Sequence, residues 1–227
     1  LGDARAVAAR LLETLRQQVE EGDRNVDWQK TATDLSESAD MTIGSLWRSR
    51  WSYALSKATA EQYLHAWGRK GLRFVVVRYF NVYGPRQDYR RTIPPLMSAF
   101  IIELLQGKQP TIYGTGEKRR DFVYVEDVND FHLQCIEDPR TDGRVFNLGS
   151  GHSHSVREIF DLISGILGTT VDPIYAGDLP GEAFETRGDI TAAKGLGWEP
   201  HTGLEDGLRL SIDYIRGLVE DDPTVRE

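Results

Sequence analysis

Two residues with complementary acid–base chemistry stand four positions apart, Tyr53 and Lys57, in the stretch from Trp51 to Lys57. The residues that follow, as far as Trp67, contain neither Gly nor Pro. A helix through them puts both side chains on one face, one turn apart. An ammonium beside a phenol favours the phenolate. It makes a proton acceptor of a group that is ordinarily neutral at pH 7. Tyr-x-x-x-Lys alone also arises by chance, and an amphipathic helix with a core Tyr and a solvated Lys shows the same spacing. The next segment narrows the choice. Gly71 to Arg86 reads as a turn, a strand over 73–79, and a polar exit bearing Asn81, Gly84, Pro85 and Arg86. The run Phe74–Val77 is continuously apolar, as in parallel strands buried on both faces.

Further elements must position this pair. Residues 3–21 read as a helix with an apolar stripe through Val7, Leu11, Leu15 and Val19. Residues 23–50 are polar and irregular. Asp34–Glu37 has the form of a capping box, but no helical pattern follows it. A helix entered through Pro is predicted over 92–106, then a short strand and turn over Thr111–Gly116. Val123–Val125 reads as a strand, and the acids Glu126 and Asp127 suit the start of the next helix. Val145–Gly151 is a strand with a tight exit, Val156–Leu167 an amphipathic helix, and Val171–Ala176 a short strand. Arg187–Ile190 leads into a short helix ending near Gly195. Residues 202–216 form a closing amphipathic helix, and the tail is acidic.

Composition excludes several function classes. The 227 residues carry a net charge of −8, which argues against nucleic acid or an anionic membrane as a main partner. The apolar share of 40% supports a sizeable core. One cysteine, Cys135, permits no intrachain disulfide and is expected to be a buried small hydrophobe. No apolar run has transmembrane length and no signal peptide is visible, so a soluble cytoplasmic protein is expected. His152 and His154 form a His-x-His pair, but His65, His132 and His201 are scattered. Surface histidines and no metal site are therefore expected.

The chain resembles the extended short-chain dehydrogenases/reductases, in particular the NAD-dependent nucleotide-sugar epimerases, dehydratases and decarboxylases. The resemblance rests on Tyr53/Lys57, Arg78–Arg86, Gly114–Val128, Phe146–Gly151 and Leu196–Pro200, in the family's order and near its spacing. It implies an α/β fold, a truncated Rossmann-like (doubly wound) core with a small α/β substrate-binding lobe. Residues 1–34 then form an N-terminal helix and linker, and residues 35–227 the core and lobe. In the roles the resemblance implies, Tyr53 and Lys57 are the proton-transfer pair, with Lys57 holding the nicotinamide ribose of NAD. Asn81, Arg120 and Arg187 contact a nucleotide-diphosphate sugar, a guanidinium suiting phosphate. Lys118 and Arg119 add only field. The family's glycine fingerprint, which cradles the dinucleotide pyrophosphate, has no counterpart here. The redox half is therefore expected to be missing or supplied by a partner half, and the Tyr helix to pack in a homodimer. A redox-free nucleotide-sugar-binding or acid–base protein, or a non-catalytic remnant, is the alternative.

Overall fold

The computed structural model describes residues 34–35, 51–91, 94–179 and 182–221. The chain divides into two compact units, one of residues 1–28 and 38–74, the other of residues 29–37 and 75–227. The helix read over residues 3–21 lies outside the described residues.

The first unit contributes helix α1, Trp51–Gly68. It matches the helix read through Tyr53 and Lys57 as far as Trp67. A tight turn ends it, Lys70 N–H donating to the Trp67 carbonyl at 2.8 Å and Gly71 N–H to that of Gly68 at 2.9 Å. Phe74 packs edge-on against His65, ring centroids 5.2 Å apart. No α1 side chain is buried.

The second unit begins with a two-residue strand, β1 (Asp34–Leu35), where the sequence shows a capping-box pattern. It continues with β2 (Val76–Tyr79), β3 (Asn81–Tyr83), α2 (Leu96–Leu105), β4 (Thr111–Tyr113) and β5 (Arg119–Tyr124). Then come α3 (Val125–Glu137), β6 (Val145–Leu148), β7 (Ser153–Ser155), α4 (Val156–Leu167) and β8 (Ile174–Ala176). The unit closes with β9 (Glu185–Gly188), the short α5 (Thr191–Lys194) and α6 (Leu204–Asp221). Among the described residues every strand pairing but one is parallel: β1 with β9, β9 with β5, β5 with β3, β2 with β6 and β4 with β8. β7 alone runs antiparallel, against the start of β5. Parallel pairs need crossover connections, and helices supply most of them here, as an α/β fold requires.

Among the expectations corrected in extent are two strands. The strand read over 73–79 is only Val76–Tyr79, with Val76 buried and Tyr79 exposed. The strand read at Val123–Val125 starts four residues earlier, at Arg119, and Val125 opens α3. Pairing on both edges of β5, with β7 and β9, draws the charged residues into the strand against their local preference.

β5 alternates between two cores, as period-two side chains must. Phe122 and Tyr124 face a cluster with Phe100, Ile101, Ile112, Ile159, Ile163 and Leu208, drawn from α2, β4, α4 and α6. Val123 faces a second cluster with Val128, Phe131, Phe146, Leu148 and Trp198. Cys135 is half-buried at the edge of the second cluster, less enclosed than expected. Asp127, wholly buried, ties this core to the chain beyond it. Its carboxylate accepts from Thr202 N–H at 3.1 Å and Oγ1 at 3.0 Å and lies 3.0 Å from His201 Nδ1, and its carbonyl accepts from Trp198 Nε1 at 2.8 Å. Among the described residues, no helix is long and apolar enough to cross a membrane.

Candidate functional site

β3 and β5 run side by side with Asn81 opposite Phe122. Arg120, two residues before Phe122, shares its face. The two strands thereby bring Asn81 and Arg120 to one cavity of about 490 Å³, whose walls include Glu103 of α2, Tyr113 of β4, Lys118 and Glu182. The Asn81 amide donates to the Asp121 carbonyl at 2.8 Å, which fixes its orientation at the rim. The Arg120 guanidinium donates to the carbonyls of Arg119 at 2.8 Å and Ala183 at 2.9 Å, and lies 3.7 Å from Glu182. Burial pushes its proton affinity down, and Glu182 restores part of it. Glu103 is held above the ordinary carboxylate range by burial, partly offset by Lys108.

Lys118 was expected from the sequence only to add field, yet its ammonium is the more enclosed cation, its side chain only 14% exposed. It donates to Asp178 and, at 3.0 Å, to Glu182. Burial works against its charge, but these carboxylates outweigh that and lift it above the ordinary lysine range. The signal was present in the sequence: Lys118 and Arg120 are two apart on an extended chain and so share a face.

Arg187 is not brought to this cavity. In β9 it is Thr186 that stands opposite Arg120, while Arg187 stands opposite Asp34. The pleat turns Arg187 toward a separate, more open cavity of about 820 Å³ that Arg119, His152 and His201 also line. His152 is exposed there, and His154 is half-buried on β7, its imidazole pushed by burial below the ordinary histidine range.

Next to Arg120 in β5 stands a residue that sequence reasoning passed over. The Asp121 side chain is wholly buried. It accepts from Ser150 N–H at 2.6 Å, Ser150 Oγ at 2.7 Å, Gly151 N–H at 3.0 Å and Gly188 N–H at 3.0 Å. One carboxylate thus fastens the exits of β6 and β9 to β5. The approach is so close that a Cβ on Gly149 would lie 2.5 Å from Asp121 Oδ2. Asn147, on β6, is buried and donates to the Asp189 carbonyl at 3.1 Å, a bracing role.

In the other unit, α1 carries Tyr53 and Lys57 as their spacing requires. Lys57 Nζ lies 5.2 Å from the Tyr53 ring centroid. The phenol is 71% exposed and Lys57 is exposed as well, and Ser56 Oγ donates to the Tyr53 carbonyl at 2.7 Å. An accessible phenol and ammonium on one helical face suit a ligand with ribose hydroxyls, so these residues fit the sugar end of a dinucleotide.

Comparison with known proteins adds an independent line. The family model of the NAD dependent epimerase/dehydratase family matches residues 30–149. A putative UDP-glucose 4-epimerase of Methanocaldococcus jannaschii is 34% identical over 165 residues, 72% of this chain and 53% of that protein. A UDP-N-acetyl-alpha-D-glucosaminuronate decarboxylase of Bacillus cytotoxicus is 30% identical over 203 residues, 85% of this chain and 61% of that protein. The crystal structure of UDP-glucose 4-epimerase from Thermotoga maritima, with UDP-glucose, superposes with a TM-score of 0.76 at 35% identity, over 86% of this chain and 60% of that one. UDP-glucuronic acid 4-epimerase from Bacillus cereus, in complex with UDP-glucuronic acid and NAD, gives 0.74 at 28% identity, over 84% and 59%. The chain thus spans about half to three-fifths of the length of these relatives.

Proposed function

Since this chain belongs to the NAD-dependent epimerase/dehydratase family of extended short-chain dehydrogenases/reductases, we propose that it binds a nucleotide-diphosphate sugar and moves a proton at one of the sugar hydroxyls. The observation that carries this reading is the convergence of Asn81 and Arg120, from two neighbouring strands, on one cavity. An amide and a guanidinium suit a sugar or phosphate oxygen and the diphosphate charge respectively.

In this reading Arg120 holds the diphosphate, Asn81 orients the ligand beside it, and Tyr53 accepts the proton of the reacting hydroxyl. Lys57 contributes its charge beside the phenol and would donate to the ribose of NAD, which, when bound, would supply a hydride acceptor. The aromatic wall at Tyr113, which is half exposed, offers a face for a nucleobase. The relatives' own ligands, UDP-glucose and UDP-glucuronic acid, make a UDP sugar the first ligand to try. In this reading Arg187, which lines the other cavity, is not assigned to the diphosphate.

Calorimetric titration of the purified chain with UDP, UDP-glucose and NAD tests this reading. UDP and UDP-glucose are expected to bind, and Arg120→Ala to weaken both about 10- to 100-fold, the usual worth of a charge-assisted contact. Tyr53→Phe is expected to leave that binding intact. Wild-type protein that ignores both nucleotides, or an Arg120→Ala variant that binds them equally well, would remove the reading.

A further inference from the structure

Lys118 and Arg120 line the same cavity and are both largely enclosed, their side chains 14% and 21% exposed. Their carboxylate partners are not. Asp178 is 58% exposed and Glu182 40%, and both come from the connection between β8 and β9. Glu182 spans the two cations, 3.0 Å from Lys118 Nζ and 3.7 Å from Arg120 Nη2. Asp178 takes a second donor of Lys118. Two largely enclosed cations are thus matched by two carboxylates that reach in from the surface.

An enclosed ammonium without a partner is costly, so cations held in this way need anionic partners. The two carboxylates carry two negative charges, and so does the diphosphate of a nucleotide sugar. The contacts also differ in how readily they exchange. Backbone carbonyls of Arg119 and Ala183 fix the Arg120 guanidinium by hydrogen bonds. The Glu182 contact, at 3.7 Å, is longer than a hydrogen bond and is the one a ligand oxygen can replace without disturbing that anchorage.

We propose that Lys118 is a second diphosphate-binding cation beside Arg120, and that Asp178 and Glu182 are internal stand-ins for the ligand, which a nucleoside diphosphate must displace. The inference rests on the nucleotide-diphosphate reading of this cavity. It assigns to Lys118 a role in binding, and to the two acids a competitive one that sets the affinity of the site.

The experiment titrates the full chain with UDP, with uridine as an uncharged control, for wild type and for Arg120→Ala, Lys118→Met, Lys118→Arg, Glu182→Gln and the Asp178→Asn/Glu182→Gln pair. Lys118→Met is expected to weaken UDP at least 10-fold, and Lys118→Arg to retain most of the affinity. Glu182→Gln is expected to tighten UDP several-fold and the double variant further, with no such gain for uridine. A circular-dichroism melt accompanies each variant. If Lys118→Met does not fold, the two acid variants still decide, because a merely structural carboxylate gives no gain in affinity when neutralised. UDP binding lost with Arg120→Ala but unchanged by Lys118→Met or by Glu182→Gln would overturn this inference and leave the binding reading standing. No UDP binding by the wild type would sink both.

Discussion

Asp121 makes four hydrogen bonds from a wholly buried carboxylate, three of them to backbone N–H groups. Asp121→Ala strands those donors away from water. Each costs on the order of 1–3 kcal/mol, so a loss of about 3 kcal/mol or more is expected in urea unfolding, with Asp121→Asn milder. Gly149→Ala is expected to destabilise as well, since its methyl group would collide with the same carboxylate. At Tyr53 the expected effect is on rate. Tyr53→Phe removes only the hydroxyl of an exposed side chain, so the thermal midpoint should hold; on the proton-transfer role proposed above, any turnover of a UDP sugar with NAD should fall about 10²- to 10⁴-fold. Tyr53 and Lys57 were legible because four residues on a helix fix a shared face. Asp121 was not, because its partners are backbone groups from distant strand exits and no side-chain pattern announces them. Arg187 was legible as a basic residue near a strand, but its face depended on a register that only pairing with β5 and β1 decides.

At the level of single elements, α4 has the most explicit punctuation. Ser155 accepts from Glu158 N–H at 3.0 Å, and Glu158 returns the bond to Ser155 N–H at 2.9 Å. Gly168 closes the helix in the left-handed region, at φ 66°. Ser155→Ala is expected to cost about 1 kcal/mol. The bond from Ser155 N–H, and then that from Arg119, hold the Glu158 carboxyl below its ordinary range. The free-chain value is about 4.3. A carboxyl depressed by folding stabilises fully above that value and loses its contribution as pH falls through the folded one. Thermal midpoints measured from pH 7 down to pH 3 should therefore fall, and Glu158→Gln should lower the neutral-pH midpoint and flatten that acid limb. Sequence reading found both ends of α4, since its caps and its apolar period lie within the segment. It placed the start of β5 too late, since Arg119 and Arg120 join a strand only because β7 and β9 flank them.

Across the whole molecule, burial is unevenly shared. α2 and α4 each bury residues that are almost fully inaccessible, Phe100 and Ile101 in one, Ile159 and Ile163 in the other. α1 buries none. Amide exchange reports such differences as local opening free energies, so α1 amides are expected to exchange orders of magnitude faster than those at the centres of α2 and α4. Equal protection would show that α1 is held by more than its own side-chain burial. The division into two cores was only partly legible. Apolar period gave the members, but the assignment of Phe122 to one core and Val123 to the other follows from where β5 sits between them.

The Asp121 clamp also bears on how the protein reaches its folded state. Its partners lie 29, 30 and 67 residues along the chain. Contacts that close loops of such lengths form only after much of the chain is already ordered. Interactions made that late act on the unfolding rate. In a stopped-flow chevron, Asp121→Asn should steepen the loss of native lifetime while the refolding arm scarcely moves. The carboxylate is thus less a nucleus than a latch, one that sets how long the assembled sheet persists.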